Sequence, residues 1–277
     1  MEHNIERRDV ESFGYEWTKF DQTEVPMDEL RWRFNEYFSL FPWSELPANA
    51  VGFDLGCGSG RWAKFVAPRV HHLHCIDASG DALSSAKKSL ASLPNCEFHH
   101  ASVDAIPLAD ASMDFGYSLG VLHHVPDSLA GLVSCVRKLK LGAPFLVYVY
   151  YALEDRSAAY RALWHASTLV RKAVVRLPTR GRVVVSEIIA KTVYWPLARA
   201  SRFAEANGFD VSGLPLSIYR NMSFQTMRTD AYDRFATSLE KRFTRGEVAQ
   251  WMSNAGLSRI SFREGTPYWC AIGYREN

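Results

Sequence analysis

No Cys-x-x-Cys pair occurs in the 277 residues, and the five cysteines (57, 75, 96, 135 and 270) are odd in number. This pattern predicts reduced thiols and excludes both a disulfide framework and a cysteine zinc site. No apolar run reaches the ~18 residues that a membrane-spanning helix needs. The opening run Met-Glu-His-Asn-Ile-Glu-Arg-Arg lacks the apolar stretch of a secretory signal. We therefore expect a cytoplasmic protein.

A large excess of charge of one sign is also lacking: 32 basic and 30 acidic residues give a net charge of +2. The global charge therefore predicts no polyanionic partner. Hydrophobic residues make up 47% and charged residues 22%, which is the composition of a globular protein and excludes a disordered or collagen-like chain. The length suits one α/β domain with a large insertion, or two modest domains, at ~150 residues per domain.

Short apolar runs alternate with helix-like segments from residue 50 to 151. This alternation predicts right-handed crossovers and a mostly parallel, doubly wound sheet. A further helix and two strand-like runs, joined by residues 264–267, predict a closing hairpin. The expected strands are Ala50–Leu55, His72–Asp77, Cys96–Ser102, Met113–Leu119, Pro144–Tyr151, Ser258–Arg263 and Tyr268–Tyr274.

Four segments follow from this pattern. Residues 1–49 are rich in aromatics and are expected to form a lid, and residues 50–151 form the core. Residues 152–243 form an insertion that is expected to be helical over Ala158–Arg176 and Val183–Ala206, as a cap that binds substrate. Residues 244–277 supply the closing helix and hairpin of the core.

A glycine-rich turn follows the first strand, in Asp54-Leu55-Gly56-Cys57-Gly58-Ser59-Gly60. Its glycines permit positive φ and let a ligand approach the backbone, and the helix after it presents N–H groups to an anion. A dinucleotide fingerprint needs a third glycine where Arg61 stands. Asp54 also suits a ligand with an ammonium group better than one with phosphates. The turn therefore favours another nucleoside cofactor, with a generic tight turn as the alternative.

The same run resembles the first motif of class I S-adenosylmethionine-dependent methyltransferases. Four more segments match that family's motifs in order: Cys75–Ser79, Ala101–Pro107, Tyr117–Asp127 and Leu139–Ala143. The last departs from the usual Leu-Lys-Pro-Gly-Gly, which affects the turn more than the chemistry. The resemblance covers residues 50–151 well and the tail more loosely. It implies an α/β, Rossmann-like doubly wound sheet of seven strands, the last antiparallel, with an N-terminal lid and a helical insertion after strand five.

The resemblance also implies S-adenosylmethionine as the cofactor and S-adenosylhomocysteine as its product. The family places one acid on the ribose hydroxyls and another on the adenine amino group, and the matching residues are Asp77 and Asp104. Turn or helix caps are the alternative role for both acids. The expected cofactor-binding residues are Asp54, Gly56, Cys57, Gly58, Gly60, Asp77, Ala78, Asp104, Ala105 and Leu119.

Two adjacent histidines follow the fourth strand, at the edge where doubly wound sheets bind ligands. A hydroxyl nucleophile must lose a proton, most often to histidine. His124 and His123 are therefore the candidate bases, with His124 slightly preferred because adjacent side chains diverge. The alternative is that they only pack or shape the cofactor pocket. In the second and third strands, neighbouring histidines should point to opposite faces, so we expect no metal site.

The aromatic leader 13–20 resembles that of some methyltransferases acting on sugars and natural products. The resemblance implies that Tyr15 or Trp17 contacts the sulfonium through a cation–π interaction, with a hydrophobic clasp as the alternative. The substrate contacts expected here are Tyr15, Trp17, Tyr150, Tyr151, Tyr219 and Arg220.

Residues 156–202 contain ten basic residues and one acid, Glu187. A basic amphipathic helix can lie on a membrane surface or attract an anionic substrate. The alternative interpretation of this segment is a solvent-exposed face of the cap. No nucleic-acid-binding signature occurs, so no nucleic-acid partner is expected. We expect the protein to be cytoplasmic, with peripheral membrane contact through 156–202 as one option.

These features predict a methyltransferase acting on an oxygen of a small molecule or saccharide, with lipid-linked acceptors included. The alternatives are methylation of nitrogen or carbon, a non-catalytic binding or assembly subunit with the same fold, and, last, a dehydrogenase. The sequence leaves the acceptor and the oligomeric state open.

Overall fold

The computed structural model describes residues 4–19, 24–265 and 268–276, and within them the chain forms seven strands. Residue 20 of the aromatic leader and residues 266 and 267 of the predicted turn lie outside the described residues. The strands are β1 (Val51–Leu55), β2 (His72–Asp77), β3 (Cys96–His100), β4 (Phe115–Leu119), β5 (Pro144–Tyr150), β6 (Leu257–Phe262) and β7 (Tyr268–Arg275).

These strands form a single sheet in the order β3-β2-β1-β4-β5-β7-β6. Strands β1 to β5 pair in parallel, whereas β7 runs antiparallel to both β5 and β6. The order changes direction between β1 and β4, which is where doubly wound sheets bind ligands. The predicted Rossmann-like sheet of seven strands, the last antiparallel, is confirmed.

Helices cover the sheet and form the insertion. Two of them begin with polar caps: Ser79 accepts from the Ala82 N–H, and Asp127 from the Ala130 N–H at 2.9 Å. The helices are α1 (Arg7–Lys19), α2 (Met27–Tyr37), α3 (Ala63–Val66), α4 (Gly80–Ser89), α5 (Ser128–Lys138), α6 (Ala158–Val174), α7 (Thr179–Ile189), α8 (Trp195–Ala206), α9 (Phe224–Ala236) and α10 (Arg245–Asn254).

The core of the sheet is aromatic and aliphatic. Phe53, Phe115 and Phe145 come from three neighbouring strands and are fully buried. Strands buried on both faces need continuous apolar runs, and the apolar run of β5 satisfies that need.

The insertion departs from the predicted single helix over Val183–Ala206. Helix α7 begins earlier, and a π-helical turn at Ala190–Tyr194 joins it to α8. Pro196 explains the irregularity, because proline cannot donate an N–H and its ring clashes with the carbonyl four residues before it.

The described residues divide into two compact units. One contains residues 4–19, 31–152, 239–265 and 268–276, and the other contains residues 24–30 and 153–238. This division groups residues 24–30 with the insertion and residues 239–243 with the sheet. We call the first the sheet unit and the second the helical unit.

The helical unit has its own core. Val174, Tyr194, Met227 and Phe235 are buried together, with Tyr219 packed against them. Glu29 also contributes: its carboxylate accepts the Ser223 N–H at 2.8 Å and the Thr226 hydroxyl at 2.5 Å, at the start of α9. No helix among the described residues has the length and apolar character needed to cross a membrane.

Helix α10 offers a test of local stability through its capping box. The Thr244 hydroxyl accepts the Glu247 N–H at 3.1 Å, and the Glu247 carboxylate accepts the Thr244 N–H at 2.7 Å. Thr244→Ala should lower the unfolding free energy by about 1 kcal/mol, measured by denaturant titration. Glu247→Gln is the control, because glutamine completes the same box; an equal loss in that control would contradict this account.

Candidate active site

The glycine turn is held against the end of β2 by its own backbone. The N–H groups of Gly56 and Cys57 both donate to the Ile76 carbonyl, at 2.7 and 3.0 Å. Gly56, Gly58 and Gly60 all have positive φ, a conformation that costs other residues about 1 kcal/mol or more. The positive φ values therefore explain why glycine occupies these three turn positions.

Asp77 connects this turn to α4. Its carboxylate accepts the Gly58 N–H and the Ser79 N–H, each at 2.8 Å. Each carboxylate oxygen has two lone pairs, so both keep an acceptor site for a ribose hydroxyl. Burial raises the pKa of Asp77, and the two backbone N–H donors oppose that rise. The expected ribose-binding role fits this geometry and stays a proposal.

Asp54 is the second acid of the turn and is buried, with its Oδ2 lacking a hydrogen-bond partner among the described residues. Burial raises the pKa of Asp54 to about 8, while the Tyr117 hydroxyl lowers it. A buried carboxyl with an unused oxygen is costly unless a ligand satisfies it. The ammonium group of an amino-acid moiety would do so, hence this site fits S-adenosylmethionine.

The other expected cofactor residues surround the same sheet edge. Leu119 ends β4 and is nearly buried, and the Ala78 carbonyl is bonded to His100 Nε2 at 2.9 Å. Asp104 and Ala105 lie in an exposed turn, where the Ser102 hydroxyl donates to Asp104 Oδ1 at 2.5 Å. An exposed acid can reach an adenine amino group, so these placements agree with the expected roles without testing them.

Helix α1 brings Trp17 against the glycine turn. A Cβ built on Gly58 would lie 2.9 Å from the indole, so the ring touches the backbone there. The Arg61 guanidinium also lies 5.2 Å from the Trp17 ring. Tyr15 is half-buried on the same helix. The buried face of α1 contains the polar residues Asp9, Ser12 and Glu16. The aromatic content of this segment did not predict a polar buried face.

The two histidines lie together in a 3-10 turn at Leu122–His124, with ring centroids 4.1 Å apart. The expectation that adjacent side chains diverge is wrong here, because it holds for extended backbone. The Leu239 carbonyl lies 2.6 Å from His124 Nδ1 and accepts its N–H, which leaves the lone pair on Nε2. His124 therefore has the tautomer that a general base needs.

His123 differs from its neighbour because it is fully buried and neither ring nitrogen has a hydrogen-bond partner among the described residues. Burial lowers the pKa of His123 well below its usual value, and the nearby His124 and Arg242 lower it further. A neutral imidazole with so low a pKa is a weak base. His123 thus suits packing against Tyr150, whose ring centroid is 4.1 Å away.

Aromatic rings extend from these histidines across the sheet edge. Tyr148 stacks on Tyr37 at 5.1 Å and meets Tyr268 edge-on at 4.9 Å. Arg242 lies 5.0 Å from the Tyr150 ring and pairs with the buried Glu240 at 2.8 Å. The sequence analysis did not identify Tyr148, Tyr268 or Arg242. For Arg242 the reason is that residues 239–243 were assigned to the insertion. For Tyr148 the available signal was its alternation with Tyr150 along β5.

Three expected substrate contacts have other surroundings. Tyr151 is 1% exposed and packs edge-on to Trp269, because alternation places it on the face opposite Tyr150; its contact with substrate stays a prediction. Tyr219 packs 5.4 Å from Tyr194 in the helical unit. Arg220 pairs with Glu205 at 2.8 Å, which ties its guanidinium to a structural partner.

The raised pKa of Asp54 makes cofactor binding pH-dependent. The carboxyl is protonated without ligand below pH ~8 and must ionise to pair with an ammonium, so binding releases a proton. The association constant for S-adenosylmethionine should rise by up to about tenfold per pH unit from pH ~5.5 to ~7, below the usual titration of an α-amino group. Calorimetry in buffers of different ionisation enthalpy measures the proton release.

Asp54→Asn should bind more weakly and release fewer protons. Unchanged release in that variant would assign the proton to Asp77, whose pKa burial also raises. Proton uptake by the unmodified protein would contradict the prediction.

Comparisons with known proteins agree with this geometry. Residues 53–147 match the family described as Methyltransferase domain. The ubiquinone biosynthesis O-methyltransferase of Xanthomonas campestris pv. campestris is 27% identical over 230 residues, which cover 82% of this chain and 91% of that protein. An uncharacterized 37.1 kDa protein in a Streptomyces fradiae transposon is 33% identical over 93 residues, 32% of this chain. The first curated relatives are matched over 27% to 60% of their own length.

Solved structures show the same fold. A crystal structure of a SAM-dependent methyltransferase from Aquifex aeolicus has a TM-score of 0.51 and 14% identity, covering 92% of this chain and 95% of that chain. At this identity the likeness concerns the fold alone. The sequence match begins within β1 and ends within β5, the segment that contains the glycine turn, Asp77 and the paired histidines. Residues 53–147 are therefore identified as a class I S-adenosylmethionine-dependent methyltransferase domain.

Proposed function

We propose that this protein transfers a methyl group to an oxygen of a small molecule or saccharide. The observation that carries the proposal is the hydrogen bond between His124 Nδ1 and the Leu239 carbonyl, at 2.6 Å. This bond orients the His124 ring near the point where the strand order changes direction, which supports a role as base. A hydroxyl nucleophile needs a base, whereas an amine with an available lone pair needs it less. The similarity to a ubiquinone biosynthesis O-methyltransferase supports the same acceptor atom.

In the proposed mechanism the sheet unit supplies positioning and a proton acceptor. S-Adenosylmethionine, when bound, supplies a methyl group on a sulfonium and leaves as the neutral thioether. Asp54 would hold the ammonium group, Asp77 the ribose hydroxyls and Asp104 the adenine amino group. His124 Nε2 would accept the acceptor's hydroxyl proton as the oxygen–methyl bond forms. Correct alignment of the reacting atoms contributes up to ~7–11 kcal/mol in such reactions.

The walls of the site favour an acceptor with flat or weakly polar faces. Tyr148 and Tyr150 flank His123, with Arg242 over the Tyr150 ring. Aromatic rings contact both sugar faces and aromatic acceptors.

His124→Asn tests the proposed base. The asparagine amide can still donate to the Leu239 carbonyl, but it has no basic nitrogen. We expect kcat to fall by about 10²–10⁴-fold, with little change in the affinity for S-adenosylmethionine. The assay measures S-adenosylhomocysteine formed with a panel of phenols, catechols and saccharides, each paired with its methoxy analogue and a matched amine.

Turnover of amines that survives in His124→Asn would favour nitrogen methylation over the proposal. Cofactor binding without product from any acceptor would favour a non-catalytic binding subunit.

The helical unit supports an additional proposal, that it contacts an anionic lipid surface when the acceptor is lipid-linked. Five of its ten basic residues between 156 and 202 donate to backbone carbonyls: Arg156, Arg161, Arg171, Arg182 and Arg199. Four others are exposed with no ion pair identified among the described residues: Lys172, Arg176, Arg180 and Arg202. Large apolar side chains are exposed in the same unit, including Leu169 and Phe203 at 68% and 73%. Exposed apolar groups beside free cations are typical of membrane-surface binding.

Vesicle sedimentation tests this contact. The protein should bind vesicles of phosphatidylserine and phosphatidylcholine, bind phosphatidylcholine alone weakly, and lose binding at high salt. Leu169→Asp should weaken binding severalfold. Leu141→Asp is the matched control, since Leu141 in the sheet unit is equally exposed at 68%. An equal effect of both substitutions, or no vesicle binding, would overturn the proposed contact.

A further inference from the structure

Three histidines and a glutamate lie on one face of β2 and β3. His72 and His74 are two residues apart on β2, so their side chains share a face. The parallel register places His74 beside Glu97 and Ile76 beside His99. Glu97 and His99 are likewise two residues apart on β3, so all four side chains lie on the same face of the sheet.

The polar atoms of this cluster converge. His74 Nδ1 lies 3.0 Å from His99 Nε2, and His72 Nε2 lies 3.2 Å from Glu97 Oε2. His74 Nδ1 and His99 Nε2 are each 3.5 Å from a Glu97 oxygen. One ligand atom each from His72, His74 and Glu97 can be chosen with all three within 4.8 Å of one another.

These separations match a small coordination shell. Zinc binds histidine nitrogen and carboxylate oxygen at ~2.0–2.2 Å with tetrahedral geometry, which places neighbouring ligand atoms ~3.3 Å apart. The four contacts above, at 3.0 to 3.5 Å, bracket that value. Imidazole and carboxylate together suit Zn²⁺ and other divalent first-row transition ions.

We propose that His72, His74 and Glu97, with His99 as the fourth ligand, bind a divalent first-row transition metal ion such as Zn²⁺. Each facing nitrogen uses its lone pair, and each ring keeps its proton on the far nitrogen. The ion replaces the contact between the His74 and His99 rings. The negative charge of Glu97 offsets part of the ion's charge.

The cluster is open enough to load. Glu97 is 54% exposed and His72 is 30% exposed, whereas His74 and His99 are 14% and 16% exposed. The ion can therefore enter from solvent without unfolding the sheet. Since β3 is the last strand at this edge, bridging it to β2 would stabilise the end of the sheet.

The expectation of no metal site was based on adjacent histidines alone. It did not consider the i, i+2 pair on β2 or residues from the neighbouring strand. The relevant signal is His-x-His in one strand and Glu-x-His in the next, which becomes a cluster only when the register is known.

Tag-free, metal-free protein titrated with ZnCl₂ in a calorimeter tests the proposal. We expect one equivalent to bind, no binding of MgCl₂, and a higher melting temperature with Zn²⁺. Loss of a supporting residue near a metal costs 10–100-fold in affinity, so His74→Gln and Glu97→Gln should each weaken Zn²⁺ binding by at least about tenfold. His71→Gln, an exposed histidine just before β2, should bind as the unmodified protein does.

Thiols are the competing ligands, since the Cys75 thiol lies within hydrogen-bonding reach of both Cys57 and Cys96. Cys96→Ser should leave Zn²⁺ affinity unchanged. The Co²⁺ complex should show visible ligand-field bands without sulfur-to-metal charge transfer in the near ultraviolet. Circular dichroism verifies that each variant is folded.

Loss of binding in Cys96→Ser, thiolate charge transfer, or Zn²⁺ affinity unchanged in folded His74→Gln would each overturn the proposal. Absence of Zn²⁺ binding by the unmodified protein would do the same.

Discussion

The carboxylate of Asp77 holds together the part of the fold on which the site depends. By accepting N–H groups from Gly58 and Ser79, it fixes the glycine turn to the end of β2 and to the start of α4. The Ile76 carbonyl adds two bonds to the same turn. Charge-assisted bonds of this kind are about twice as strong as neutral ones. A single acid thus aligns the turn, the strand end and the helix before any ligand arrives.

The buried polar groups of the site differ in how fully they are hydrogen-bonded. Asp54 and His123 are both buried without full hydrogen bonding, and both have pKa values displaced towards the neutral form. Such groups cost free energy in the unliganded protein. His124, in contrast, is oriented by a backbone carbonyl. The site therefore combines an oriented imidazole, the proposed proton acceptor, with buried groups whose free-energy cost a ligand can remove.

Most of the sheet was predictable because it follows from local signals. The apolar runs of β1, β2 and β5 and the caps at Ser79 and Asp127 depend on nearby residues, and the strand order follows from the family resemblance. The irregular join at Ala190–Tyr194 depends on Pro196 inside an otherwise helical pattern, and it was missed. The ring cluster with Tyr148, Tyr268 and Arg242 needs contacts between residues more than 90 positions apart. Register alone brings His72, His74, Glu97 and His99 together, and one sequence does not supply it.

Glu29 has a consequence for how the helical unit can be exchanged between proteins. Its carboxylate satisfies the Ser223 N–H and the Thr226 hydroxyl at the start of α9, almost 200 residues later in the chain. The unit is therefore encoded by two separate stretches, residues 24–30 and 153–238. A chimera that transfers only the later stretch would leave a helix end without its anion. A transplantable module must include both stretches, and the ribosome completes it only after most of the sheet has been made.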